Sequence, residues 1–369
     1  MSEGKPPFRA DHVGSLLRPP ELREARAARS EGRLDAAALR AVEDRCIRDA
    51  IAKQKEVGLK AVTDGEYRRA FWHFDFLAGL GGVEMYEADQ GIQFKGGQTK
   101  AYGLKVTGPL RYQPHPFVED FKFVAVSAGG AVPKQTIPSP SVLHFRGGRR
   151  AVDTQTYPEM EGFFADLGAV YADAVRAFAD AGCRYLQLDE VNIAYLCDPE
   201  QLAQLRKRGE QVEGLLETYA ALINTAIAGR PSDMVVSMHL CRGNFRSMHI
   251  ASGGYDPLAE VLFNGINVDA YFMEYDTERA GTFAPLRFLP KGKTVVLGLV
   301  TSKTGELESK DMLKRRIEDA AKYAPIEQLA ISPQCGFAST EEGNLLTVEQ
   351  QWAKLALCIE MAREVWGDV

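Results

Sequence analysis

The chain has 369 residues, 45% of them hydrophobic and 25% charged, with a formal net charge of −6. That is the composition of an ordinary globular protein, long enough to bury a sizeable core. No Lys/Arg-rich block marks a nucleic-acid partner, no apolar run approaches the ~18 residues of a membrane span, and MSEGKPPFRADHVG carries no leader pattern. A cytoplasmic protein with neither nucleic-acid nor membrane partners is expected, and a homo-oligomer is left open. Six cysteines scattered over this length are no disulfide framework. Cys46 and Cys358 fall in helical patterns and are expected to be plain core.

Short apolar runs alternate with longer amphipathic stretches along the chain. In order, strands are predicted over 10–15, 59–66, 132–140, 183–190, 234–241, 270–275, 294–302 and 329–336. Between them, stretches such as ELREARAARSEGRLDAAALRAVEDRCIRDAIAKQKEVG and EGFFADLGAVYADAVRAFADAG repeat apolar residues at helical spacing. This alternation predicts an α/β fold, a (β/α)8 TIM barrel formed as one domain by residues 1–369, with an open doubly wound sheet as the alternative. The stretch 101–128, strand-like and rich in proline turns, is expected to form a β-hairpin excursion between strands 2 and 3.

Chemically capable residues collect at the C-terminal ends of the predicted strands: Ser15, Asp64, Glu66, Asp189, Glu190, His239, Cys241, Glu274 and Cys335. In a (β/α)8 barrel those ends share the face on which active sites are built. Each has a plainer reading, and Asp64 is equally suited to capping the next helix. His239 and Cys241, two positions apart in MHLCRGN, point to the same side of a strand. Alone, this pair is weak evidence for a metal. Glu274 from the next strand and Cys335 from two strands beyond complete a candidate tetrahedral set, and thiolates favour zinc over magnesium or calcium.

The motifs HVGSLLRP, TDGEYRR, QLDE, MHLCRGN, the glutamate of FMEYD and SPQCGF follow one another in this order. Together they resemble the catalytic barrel of cobalamin-independent methionine synthase, in its short, single-barrel branch. The resemblance runs from about Asp11 to Ala338. It implies that His239, Cys241, Glu274 and Cys335 bind Zn2+, and that Ser15, Glu66 and Asp189 hold the amino-acid end of homocysteine. It implies methyl transfer to the homocysteine thiol, forming methionine, from a folate or corrinoid donor such as 5-methyltetrahydrofolate.

A free thiol is mostly protonated at neutral pH, and zinc deprotonates it while leaving the sulfur nucleophilic. Exchange of a carboxylate for an incoming thiolate keeps the charge constant, so Glu274 is the expected exchangeable ligand. Two positions depart from the family pattern. Arg146, beside Phe145, stands where the family stacks the donor's pterin on a tryptophan. Lys303 stands where the family has a histidine proposed to protonate the leaving group, and is the candidate acid. Two other functions fit the same residues: a zinc-dependent thiol alkyl transferase acting on an epoxide, and a non-enzymatic zinc-binding protein.

Overall fold

The structure, a computed structural model, describes residues 5–369. Its spine is a parallel sheet in the order β7 (Gln135–Pro138), β8 (Tyr185–Glu190), β9 (Val235–Leu240), β10 (Ala270–Glu274), β11 (Thr294–Val300) and β12 (Leu329–Pro333). A two-stranded parallel sheet pairs β1 (Ala61–Val62) with β6 (Val132–Pro133). Only Lys134 separates β6 from β7, so the two sheets share one chain segment. At the other edge Ala10 bridges in parallel to Ile331 of β12. The same N-terminal segment reaches toward β1, where Gly65 O accepts from Leu16 N at 3.0 Å and Gly14 O accepts from Thr63 Oγ1 at 2.6 Å.

All eight predicted runs therefore take part in parallel pairing, though the first contributes a single bridge and the second only two residues. Strands β7, β8, β10, β11 and β12 are buried along their whole length. That is why the sequence shows continuous apolar runs there instead of alternation: helices cover one face and the interior the other.

The helices between strands begin and end where local chemistry dictates. Asp35 caps the helix Ala36–Val57 by accepting from Ala38 N, and Gly58 ends it at φ 109°. This helix turns Cys46, Ile47, Ala50 and Ile51 inward, so Cys46 is core, as is Cys358 in the C-terminal helix Val348–Trp366. Thr347 and Gln350 form a capping box at the start of that last helix.

The excursion between the second and third strands differs from expectation. Its long antiparallel pair joins β2 (Gly81–Glu87) to β5 (Tyr102–Arg111), with a short hairpin of β3 (Gln93–Phe94) and β4 (Gly97–Gln98) at its far end. Residues 101–128 thus supply one strand of the pair, not both. The remainder, Pro116–Ser127, is a helix that starts on Pro116 with His115 as its cap. The alternation seen in the sequence there is a helix burying Phe117, Phe121 and Val124. Among the described residues no helix is long and apolar enough to cross a membrane.

Candidate metal and substrate site

Ser15, Glu66, Asp189, His239, Cys241 and Cys335 come from five separate segments and line one small cavity of ≈ 50 Å³. The ligand atoms of His239, Cys241 and Cys335 all lie within 4.8 Å of one another, and the two sulfurs are 3.5 Å apart. All three side chains are buried.

The local bonding prepares these atoms for a soft cation. His239 Nδ1 is 3.3 Å from the carbonyl oxygen of Phe272 on the neighbouring strand. A carbonyl only accepts, so Nδ1 carries a proton and Nε2 is the nitrogen left to face a metal. That Nε2 is buried and has no hydrogen-bond partner, which is uncommon for a polar atom inside a protein. Cys241 Sγ accepts from Gly243 N at 3.2 Å. The hydrogen bond with Cys335, then burial, raises the Cys241 thiol well above its ordinary range. A divalent metal would reverse that by holding both sulfurs as thiolates. An orphaned imidazole nitrogen converging with two thiols fits zinc.

The carboxylates sit across the cavity. Glu66 follows Gly65, and both lie in the left-handed region, at φ 61° and 66°. Glycine takes this shape freely, but for glutamate it is costly and occurs mostly where a side chain must be aimed. Glu66 Oε1 accepts from Thr136 Oγ1 at 2.9 Å and lies 3.4 Å from Arg69 Nη1, while Oε2 has no partner. Burial is the largest influence on Glu66 and, opposed by Arg69, lifts its pKa to about 7. Asp189, at the end of β8 in register with His239, accepts from Gln187 Nε2 at 2.7 Å, and burial raises it too. Ser15 Oγ accepts from Ala338 N at 3.3 Å, leaving its own proton free to donate. A Cβ on Gly336 would overlap Ser15 Oγ, so the glycine after Cys335 makes room for the serine.

Glu274 is not in the metal-competent trio. It is fully buried at the end of β10, but Arg279 pairs with Oε1, Arg242 N donates to Oε2 at 2.8 Å, and Lys303 Nζ lies 3.8 Å from Oε1. Burial would raise its pKa, yet Lys303, Arg279 and Arg242 prevail and hold it at about 2. The carboxylate is thus held among three positively charged side chains. No motif flags this pairing, since Arg279 lies five residues beyond Glu274 with no spacing to mark it.

Lys303, the candidate acid, reaches this carboxylate and lines neither the small cavity nor the chamber beside it. That chamber, of ≈ 460 Å³, is walled in part by Phe74, Tyr86, Tyr102, Phe145 and Arg208. His73, Ile92, Phe94, Arg146 and Tyr195 line both spaces and form the junction between them. The sequence reading placed Arg146 near the donor but passed over His73, and it missed Arg69, although an arginine three residues after Glu66 was visible in TDGEYRR.

Comparison with known proteins identifies the family. The family model described as "Cobalamin-independent synthase, Catalytic domain" matches residues 8–363. The Bacillus subtilis protein YxjH, itself uncharacterised, is 51% identical over 363 residues, covering 98% of this chain and 96% of that one. A solved structure from Listeria monocytogenes, described as a candidate vitamin-B12 independent methionine synthase, is 43% identical with a TM-score of 0.79, covering 98% of this chain and 99% of that one. The 5-methyltetrahydropteroyltriglutamate–homocysteine methyltransferase of Actinobacillus pleuropneumoniae serotype 7 is 23% identical over 365 residues, 97% of this chain but only 43% of that longer protein. With its family model matched over nearly all of its length, the chain belongs to the cobalamin-independent methionine synthase family and carries that family's catalytic domain.

Proposed function

We propose that the protein is a zinc-dependent methyltransferase that moves a methyl group to the thiol of homocysteine, forming methionine, with a 5-methyltetrahydrofolate-type donor. The observation that carries this reading is the orphaned His239 Nε2 facing two thiols, in the cavity that also holds the partnerless Glu66 Oε2. Family membership supports the reaction class.

His239, Cys241 and Cys335 are the residues that would hold the metal. When bound, zinc would supply deprotonation of the incoming thiol at neutral pH without quenching the sulfur's nucleophilicity. Glu66 and Asp189 offer acceptors to the substrate ammonium, and Ser15 Oγ donates to its carboxylate. This polar end favours an amino-acid thiol over a sulfonate thiol, which has no ammonium for two buried carboxyls. Glu274 is kept as the exchangeable fourth donor, with Arg279 and Lys303 ready to hold its carboxylate off the metal. The larger chamber suits the donor, since small-molecule sites typically span about 300–1,000 Å³.

The parallel order from Ala10 through β12 to β1, together with the two bonds linking residues 14–16 to 63–65, supports a closed eight-stranded barrel acting as one catalytic domain. The test is turnover: purified, zinc-loaded protein is given homocysteine with 5-methyltetrahydrofolate as its mono- or triglutamate, and methionine is read by mass spectrometry. Methionine dependent on both zinc and donor supports the reading. Zinc binding without methionine from any such donor would favour a structural metal site.

A further inference from the structure

The imidazole of His73 is buried, only 1% exposed, and neither ring nitrogen has a hydrogen-bond partner. Buried polar groups are nearly always paired, so two orphaned nitrogens on one ring point to a missing ligand. The ring lies at the junction, lining both the thiol cavity and the larger chamber. It is clamped between neighbours, with the Trp72 ring 4.5 Å and the Phe74 ring 4.0 Å from its centroid. Trp72 N donates to Ser339 O at 2.9 Å, which fixes the backbone beneath it. His73 does not belong to the trio of His239, Cys241 and Cys335, so metal binding does not account for its free nitrogens. Burial first, and the Arg146 guanidinium second, hold its pKa well below the ordinary range. The ring is therefore neutral, with one N–H to give and one lone pair.

Resting on the methyl-transfer reading, we propose that His73 is a catalytic residue that donates its N–H to the leaving heteroatom of the methyl donor at the junction of the two cavities. As the homocysteine thiolate attacks, the S–CH3 bond forms and the bond from the methyl carbon to the leaving atom breaks. The electron pair of that bond stays on the leaving atom, where the His73 N–H stabilises the growing charge. No proton leaves His73; water protonates the leaving nitrogen as the bond breaks, so the group departs as a neutral amine and hydroxide passes to solvent. The role requires a leaving atom with a lone pair, such as an amine nitrogen. A cobalt centre offers no such acceptor, so the donor class is an N-methyl compound and not a methylcorrinoid. The Arg146 guanidinium lines the same junction, close enough to act on the His73 ring, and adds positive charge there.

The experiment compares wild type with His73→Phe and His73→Gln. Homocysteine and 5-methyltetrahydrofolate triglutamate are the substrates, and homocysteine affinity is measured separately by calorimetry. Loss of one donor aimed at developing charge typically lowers kcat about a hundredfold or more. His73→Phe is expected to show that loss with zinc content and homocysteine affinity within twofold of wild type. His73→Gln, which keeps an N–H, is expected to recover at least about tenfold of it. Equal losses in both variants, or a fall in homocysteine affinity matching the fall in kcat, would assign His73 to packing or to the thiol side and overturn the proposal. So would turnover with methylcobalamin exceeding that with the folate in wild type. If wild type makes no methionine at all, the reaction reading fails and the role of His73 with it. Methionine from wild type and equally from His73→Phe removes only His73.

Discussion

Glu66 carries its function and its cost on one side chain. Its folded pKa, about 7, lies above the ordinary 4.5, so the fold favours the protonated acid. The cost of ionising it appears as pH rises from about 4.5 and is complete above about 7. Glu66→Gln should therefore stabilise the ligand-free protein at pH 8, by on the order of 3 kcal/mol, and do nothing at pH 4. Chemical denaturation at the two pH values measures this; equal effects at both would mean that burial does not set the charge. Binding runs the other way. An ammonium needs the carboxylate, so wild-type homocysteine affinity should strengthen as pH rises through 7, with that component missing in Glu66→Gln. Calorimetry of both proteins at pH 6 and 8 isolates it from titration of the thiol.

Glu274 makes a different prediction, because its partners are its own arginine and lysine. Glu274→Gln should leave zinc near one per chain, since three donors remain, while Cys335→Ser should strip most of it. The glutamine variant should also lose about 3–5 kcal/mol of stability, as Arg279 and Lys303 lose a buried counter-charge. Metal analysis after dialysis, with a denaturation curve, decides between this and a carboxylate essential for retaining metal.

Among the elements, the excursion β2–β5 matters most for the site. Its tip, β3 and β4, folds back so that Lys95 N donates to His249 O at 2.9 Å and the rings of Phe94 and Phe245 meet at 5.2 Å. This contact brings Ile92 and Phe94 to the junction of the two cavities. The loop it meets contains Arg246 and Ser247, both left-handed at φ 47° and 68°, so the turn after β9 is held in a costly shape. Phe94→Ala should weaken donor binding and raise the donor KM several-fold, while leaving zinc content and homocysteine affinity nearly unchanged. If homocysteine affinity falls equally, the tip covers the thiol cavity and not the junction. Sequence placed an excursion here but not its pairing: the register follows from a partner strand upstream of 101–128, and β5 is paired across a bulge near Gly81.

Across the whole molecule, the seam between the N-terminal segment and the strands around it is tied by a buried ion pair. Lys134 Nζ, in the gap between β6 and β7, lies 3.3 Å from Asp11 Oδ1 and donates to His12 O at 2.6 Å; both side chains are fully buried. Tyr185 of β8 donates to the other oxygen of Asp11 at 2.7 Å, and Lys134 sits 4.0 Å over the Phe272 ring of β10. One ammonium thus touches segments far apart in sequence. Lys134→Met should cost about 3–5 kcal/mol, because it strands the Asp11 carboxylate. Asp11→Asn in the same chain should restore part of that loss. A double-mutant cycle with no coupling would show that the pair contributes nothing to closing the fold.

The sequence by itself determined the alternation of strand and helix, the eight parallel-pairing runs, and which residues stand at the strand ends. Those features follow from local periodicity and capping, and six dispersed motifs kept their order because a repeating strand–helix chain delivers each strand end to one face. Tertiary structure decided the rest. It brought His239, Cys241 and Cys335 within reach of one another and turned Glu274 toward Arg279 and Lys303. It removed Lys303 from both cavities and put His73, which no motif marked, at their junction. Which neighbour a buried carboxylate or imidazole faces depends on charges and backbone groups from distant segments. Desolvation makes those few contacts dominate its energy, and no spacing along the chain encodes them.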